Sequence, residues 1–230
     1  MSLEQTIAQM QQQMSDMQRE ITRLNDAAEV RKLHHKYGYF IDHCRYDETV
    51  DLFDEEEGEV YFLNGVYKGR AGITRLYCDW FRNMFTRGVN GPIPGFLLDH
   101  FLSQDIVDIS EDGNTAWVRA RCIMMAGYHE SVENLVPEMP RSCWEGGIHE
   151  NTYIKKNGVW KIKTLNYNML WQADYAKGWG ASDVHLLPLT KTFPEDPSGP
   201  DYLRDAIPPT WPNTRHVPYH YKHPVNVTAG

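Results

Sequence analysis

The segment Tyr37-Gly-Tyr-Phe-Ile-Asp42-His43 lies near the end of a long predicted amino-terminal helix. A tyrosine here precedes an aspartate by five residues, and an aromatic and acid-rich segment continues as far as Phe53. This combination indicates polar chemistry at the mouth of an apolar pocket. His100, at the start of a predicted strand, is the obvious partner because its ordinary pKa lies near neutrality. Tyr37 and Asp42 do not share a face of an ideal helix, so the sequence leaves open whether they converge.

Upstream of this segment, residues 3–28 place apolar side chains at alternating steps of four and three. The seam consists of Leu3, Ile7, Met10, Met14, Met17, Ile21, Leu24 and Ala28. This is the heptad pattern of a coiled coil. Because an isolated helix is marginal in water, the seam needs a partner, and we expect residues 1–27 to form an oligomerisation helix in a homo-oligomer. Packing of the seam on the chain's own domain is the alternative.

Downstream segments alternate in the manner of strands. The predicted strands occupy residues 59–63, 66–68, 100–109, 115–125 and 148–170, the last interrupted by a turn at Asn157-Gly158. A helix is expected over 73–85, a lid-like loop over 86–99 and a long insertion over 127–147. Helices followed by hairpin-connected strands predict an α+β domain over residues 28–180, with helices on one face of an antiparallel sheet.

The composition changes after this domain. Nine of the thirteen prolines lie in residues 188–224, which excludes a helix or an internal strand there. Interspersed aromatic residues indicate that residues 181–230 form an extended proline-rich arm packed on a surface. The surface belongs either to the same subunit or to a neighbouring one.

Charge and hydropathy narrow the functional class. The formal net charge of −8 argues against nucleic acid as a partner, because phosphate contacts need a basic face. No apolar run reaches the length of about 18 residues that a membrane helix needs. The amino terminus lacks the regions of a signal peptide, and the four cysteines lack metal-finger spacing. We therefore expect a cytoplasmic protein that contacts neither membranes nor nucleic acid and has no metal site.

The order of these features resembles the SnoaL-like branch of the nuclear transport factor two-like superfamily. Its members are cone-shaped α+β domains whose curved sheet wraps an apolar pocket closed by helices. The matching motifs are Tyr37-x-x-x-x-Asp42 leading to Leu52-Phe53, Tyr67-x-Gly69-Arg70-x-x-Ile73, Asp99-His100-Phe-Leu, Asp112-Gly-x-Thr-Ala116 and Gly158-Val-Trp160-Lys-Ile162. Together they span roughly residues 28–170.

The resemblance implies acid–base chemistry without a cofactor. In scytalone dehydratase and the bile-acid dehydratases, a histidine and an aspartate act as a pair assisted by tyrosines. By position, this assigns catalytic roles to His100, Asp42 and Tyr37. The expected substrate-binding residues are Tyr39, His149, His35, Asn166 and Tyr46, with Asn168 as the alternative to Asn166. Arg45 departs from the pattern, since many relatives carry an acid there. The resemblance also favours a trimer.

Over its whole length, coil and arm included, the chain is similar to bacterial diarylpropane lyases of lignin catabolism. Those enzymes release formaldehyde and water from a diaryl propanediol and form a stilbene. The implied substrate is a small aromatic molecule with hydroxyl groups. The alternatives are a dehydratase, isomerase or cyclase acting on a steroid or polyketide, a non-catalytic subunit of a ring dioxygenase, and a small-molecule binding module. The sequence does not assign the acid and the base.

Overall fold

A 40-residue helix, α1 (Leu3–Asp42), opens the computed structural model, which describes residues 2–133, 141–181, 187–204, 206 and 209–222. Ser2 and Gln5 form a capping box at its start, which satisfies amide groups that the first turn leaves free. Near its middle, Asp26 is buried and accepts hydrogen bonds from Lys155 Nζ at 2.6 Å and Trp160 Nε1 at 2.9 Å. These bonds anchor the second half of α1 to the sheet.

Short helices close one side of the domain. They are α2 (Tyr46–Val50), α3 (Gly69–Thr74), a π-helix (Arg75–Phe81) and α4 (Arg82–Thr86). The sequence predicted a helix over 73–85. The structure is helical there, but Arg75–Phe81 is a wider π-helix, which changes the spacing at which side chains align.

The strands form a curved mixed sheet. They are β1 (Glu59–Phe62), β2 (Gly65–Lys68), β3 (Phe96–Ile109), β4 (Thr115–Tyr128), β5 (Ser142–Lys156), β6 (Val159–Asp174) and β7 (Tyr202–Leu203), in the order β3-β4-β5-β6-β1-β2-β7. All pairings are antiparallel except that between β1 and β6, which is parallel. The predicted α+β class is confirmed.

Two strands begin earlier than the sequence predicted. β3 starts at Phe96, so His100 lies inside the strand and does not open it. β5 starts at Ser142, within the predicted insertion 127–147, of which residues 134–140 lie outside the described chain. Two glycines obscured this strand. A Cβ atom on Gly146 would lie 2.3 Å from the Trp171 ring, and one on Gly147 would lie 2.5 Å from the Tyr167 ring, so each glycine admits an aromatic ring from β6.

The described parts of the arm pack on this chain's own sheet. β7 pairs with the edge strand β2, and Asp201 accepts a hydrogen bond from the backbone of Lys68 at 2.7 Å. Further along, Val217 is buried, and His220 lies 3.0 Å from Asp108 and 2.9 Å from Glu150. Backbone pairing, apolar burial and polar contacts thus all hold the arm to the subunit that carries it.

The amino-terminal seam has no partner within the described chain. Its members from Leu3 to Leu24 are 47–77% exposed, although their spacing forms one continuous apolar stripe along α1. A helix of 40 residues is about 60 Å long at 1.5 Å per residue, so its first half projects from the domain. Among the described residues the seam therefore packs on no part of its own domain, and its role in a homo-oligomer stays a prediction.

We predict that replacing Ile7, Met14 and Ile21 together by Glu lowers the oligomer mass measured by light scattering, because like charges would meet along the seam. The matched control carries Glu at Ala8, Ser15 and Thr22, which have the same spacing on the next face of α1. The control should keep the wild-type mass. An unchanged mass in the seam variant would contradict this role of the seam.

Candidate active site

A cavity of about 1120 Å³, including its open mouth, lies between the inner face of the sheet and the helices. Apolar and aromatic side chains dominate its walls. The polar side chains that reach it are Tyr37, Tyr46, Tyr61, Tyr77, His100, Glu145, His149, Tyr167 and Gln172. This composition combines an apolar enclosure with a small set of groups able to exchange protons or donate hydrogen bonds.

Asp42 and His100 form the central pair of the site. The Oδ1 atom of Asp42 lies 2.5 Å from Nδ1 of His100, and Oδ2 accepts the backbone N–H of His100 at 3.1 Å. Because the carboxylate holds the proton on Nδ1, Nε2 is left as an acceptor. His100 lines the cavity, and Asp42 lies behind it at the carboxyl end of α1. The two residues that the sequence singled out are thus brought together.

Tyr37 lines the cavity directly and is hydrogen-bonded to a tyrosine, not to Asp42 or His100. Its hydroxyl lies 3.0 Å from the hydroxyl of Tyr77 on the π-helix. Burial raises the pKa of both phenols, so both remain protonated hydrogen-bond donors at neutral pH. Tyr37 faces the cavity directly, whereas Asp42 acts on it through His100. The two side chains therefore serve one site from different sides of the helix.

A row of side chains crosses the inner face of four strands. His100 on β3 pairs with Met124 on β4, Met124 pairs with Glu145 on β5, and Glu145 pairs with Gln172 on β6. Glu145 is buried, and Gln172 Nε2 donates a hydrogen bond to its Oε2 atom at 2.9 Å. Burial raises the pKa of Glu145, while Tyr167, His100 and Gln172 nearby oppose the shift. The neutral form of this carboxyl group is therefore favoured more than it is in an exposed glutamate.

Sequence reasoning missed Glu145 because it lay in the predicted insertion. A signal was nevertheless present. Cys143, Glu145, Gly147 and His149 alternate along one strand face, and the lining of the cavity includes three of the four. Extending the predicted strand by six residues toward the amino terminus would have placed Glu145 beside His149.

His149 lies deeper in the cavity. Burial lowers its pKa far below the ordinary value, and the neighbouring His34 and His100 act in the same direction. Its ring centre is 4.9 Å from that of Tyr167, and its Nδ1 atom has no hydrogen-bond partner within the described residues. His149 is therefore a neutral imidazole with one polar atom unsatisfied, as expected of a group that contacts a ligand.

Of the other expected binding residues, Tyr46 alone lines the cavity, where it is fully buried. Tyr39 is 70% exposed and His35 is half-buried outside the cavity, since both lie on the far side of α1. These two assignments are corrected.

Asn166 is corrected for a different reason. A register shift on β6 between Ile162 and Thr164 inserts one residue, so Leu165 and Tyr167 face the cavity and Asn166 does not. Asn168 is turned the same way and accepts a hydrogen bond from Arg215 of the arm at 2.5 Å.

An aromatic wall forms the remaining side of the cavity. Its members are Phe62, Trp80, Phe81, Phe85 and Phe96. Neighbouring ring centres lie 5.0–5.8 Å apart, from Phe62 and Trp80 to the stacked pair of Phe85 and Phe96. Such spacing suits edge-to-face and offset contacts, and an inserted aromatic ring can extend the series.

The described residues contain neither a candidate metal site nor a helix that could span a membrane. Within residues 2–133, 141–181, 187–204, 206 and 209–222, no group of three or more His, Cys, Asp or Glu side chains is arranged to hold a metal ion. No helix in that part of the chain combines the length and the apolar character needed to cross a membrane.

A profile of the SnoaL-like domain family matches residues 22–166, which is well over half of the chain. The chain therefore belongs to this family, and the resemblance seen in its sequence is confirmed. No curated protein sequence matches it.

Solved structures of other proteins share the fold, and two are examples. One, from Novosphingobium aromaticivorans, is described as a candidate scytalone dehydratase. It has a TM-score of 0.54 and 19% identity, and the match covers 75% of this chain and 99% of that one. The other is the hexachlorocyclohexane dehydrochlorinase LinA type 3 of Novosphingobium barchaimii, with a TM-score of 0.54, 15% identity and coverage of 74% and 99%. At these identities, the likeness establishes the shared fold.

We predict that Gly147→Ala lowers the free energy of unfolding by about 1–3 kcal/mol, because its Cβ would overlap the Tyr167 ring. Gly180→Ala is the control, since no atom lies within 4 Å of its Cβ position. Urea denaturation of both variants measures the difference. The cost of Gly147→Ala should shrink in a Tyr167→Ala background, and a cost that is independent of Tyr167 would contradict the contact.

Proposed function

We propose that this protein is a cofactor-independent lyase that acts by acid–base elimination on a hydroxylated aromatic small molecule, specifically a lignin-derived diarylpropane diol. One observation carries the proposal. His100 presents an acceptor nitrogen to an aromatic-lined cavity, and Asp42 fixes its orientation from behind. A histidine held in this way is suited to take a proton from a bound substrate.

The proposed reaction has two stages. Acid-assisted loss of the benzylic hydroxyl from a para-hydroxyaryl substrate releases water and gives a quinone methide. His100 then removes the proton of the terminal alcohol, the bond to the terminal carbon breaks, and formaldehyde leaves. The electron pair of that bond forms the stilbene double bond and restores the aromatic ring. The products are one stilbene, one water and one formaldehyde, which together account for every atom of the substrate.

The cavity supports a substrate with two aryl groups. Its aromatic wall offers ring faces and edges for stacking, and the paired hydroxyls of Tyr37 and Tyr77 can hydrogen-bond a phenol oxygen. The two structural relatives are named for eliminations, one of water and one of hydrogen chloride. These names are consistent with an elimination here.

The direct test is incubation of the protein with a diaryl propanediol and, separately, with a hydroxysteroid, followed by mass spectrometry. Stilbene and formaldehyde from the first substrate are the expected result. Loss of water alone would identify a dehydratase, and a product of unchanged mass would identify an isomerase. Absence of product from both substrates would overturn the proposal.

We predict that His100→Ala lowers kcat for the diol by at least about 100-fold, the usual contribution of a proton-transfer group. Asp42→Asn should also lower kcat, because an amide supplies no negative charge to the imidazole. Steady-state kinetics and circular dichroism are measured together. His216→Ala, an exposed histidine on the arm, is the control and should keep wild-type activity. Full activity in folded His100→Ala and Asp42→Asn variants would contradict the assignment of the site.

A further inference from the structure

Glu145 is a buried carboxyl group in the cavity that the pair of Asp42 and His100 does not use. It is 6% exposed, and its hydrogen bond from Gln172 holds one oxygen in place. None of the described residues lining the cavity is a lysine or an arginine. His100 and His149 are the lining side chains able to carry positive charge, and burial keeps His149 neutral.

The position of Glu145 relative to His100 follows from strand register. The two residues lie in one row, two strands apart, with Met124 between them. Neighbouring strands are about 4.8 Å apart, so the two backbone positions are separated by about 10 Å. Both side chains leave the same face of the sheet and line the same cavity. A substrate chain lying over Met124 can therefore meet both groups at once.

The surroundings of Glu145 stabilise its carboxylic acid form more than water does around an exposed glutamate. It faces His100 from β3, Cys122 from β4, Cys143 from its own strand, and Tyr167 and Gln172 from β6. The amide of Gln172 donates to one carboxyl oxygen. The other oxygen can then carry the proton and present it to the cavity. Removal from water disfavours the charged form unless a cation compensates, and the charge of Asp42 already compensates His100.

We infer that Glu145 is the general acid that protonates the leaving benzylic hydroxyl, while His100 is the base that removes the proton of the terminal alcohol. This inference rests on the proposed function and assigns its two proton transfers to separate residues. The O–H bond of Glu145 breaks as the benzylic carbon–oxygen bond breaks, and water leaves. The proton that the phenol loses as the quinone methide forms restores Glu145. The proton held by His100 neutralises the new phenolate.

The test separates leaving-group chemistry from folding. With the benzylic alcohol as substrate, Glu145→Gln should lower kcat by at least about 100-fold, because an amide donates no proton. With an analogue whose benzylic hydroxyl is a carboxylate ester, which departs without protonation, kcat of Glu145→Gln should stay within a few-fold of wild type. A merely structural role would lower kcat equally for both substrates and would overturn the inference.

The pH profile gives a second readout. A general acid works only while it is protonated, so wild-type kcat for the alcohol should fall as the pH rises through the pKa of Glu145. That basic limb should vanish in Glu145→Gln and return in Glu145→Asp, which retains a carboxyl group. Glu111→Gln, an exposed turn residue, is the control and should keep the wild-type profile.

The outcomes distinguish the two levels of the proposal. If the wild-type protein converts neither the alcohol nor the ester, the proposed function itself fails. If the wild type is active and Glu145→Gln keeps full kcat on the alcohol, only the role of Glu145 fails. With the ester as substrate, the His100→Ala variant should still expel the carboxylate leaving group but should release no formaldehyde. Formaldehyde release at the wild-type rate would overturn the division of roles.

Discussion

The double hydrogen bond between Asp42 and His100 joins the end of α1 to an inner position of β3, and the cavity depends on this junction. One carboxylate satisfies both the imidazole and the backbone of His100. Hydrogen bonds to charged groups contribute about 1.5–3 kcal/mol each, more than most single contacts. Gly38 allows the helix to come close, since a Cβ atom there would lie 2.8 Å from a methyl carbon of Leu102 on β3. Backbone approach and side-chain pairing therefore fix the same geometry.

Burial shifts the pKa values of the titratable groups around this junction. It raises the pKa of Tyr37, Tyr77 and Glu145 and lowers that of His149, so the charged form of each group is disfavoured. His100 differs from them because a carboxylate lies directly against it. The positive charge of an imidazolium at His100 is balanced by the Asp42 carboxylate, whereas a positive charge elsewhere in the cavity has no such partner among the described lining residues. In this apolar cavity, a proton is therefore accepted most favourably at one nitrogen, Nε2 of His100.

Local signals in the sequence were sufficient for much of this arrangement. The turn at Asn157-Gly158 and the alternating strands predicted the sheet, because they depend on residues close in the chain. Asp42 and His100 are 58 residues apart, and their roles followed from the resemblance to the SnoaL-like family. The assignment of Asn166 was wrong, and Glu145 was missed, because both depend on distant parts of the chain. A bulge on β6 after Ile162 reverses the faces of the residues that follow it as far as a second register shift at Leu170, and Gly147 in β5 is explained only by a ring on the neighbouring strand. Such facts depend on pairing between strands, which alternation within one strand does not report.

The π-helix has a consequence for how this protein can diversify. Tyr77, Trp80 and Phe81 on that segment shape the aromatic side of the cavity, while Asp42, His100 and Glu145 belong to α1, β3 and β5. A π-helix departs from regular helical spacing, so gain or loss of one residue there would rotate the aromatic rings without moving the sheet. Selection for new substrates can therefore act on one short segment while reactivity is inherited unchanged from the rest of the fold.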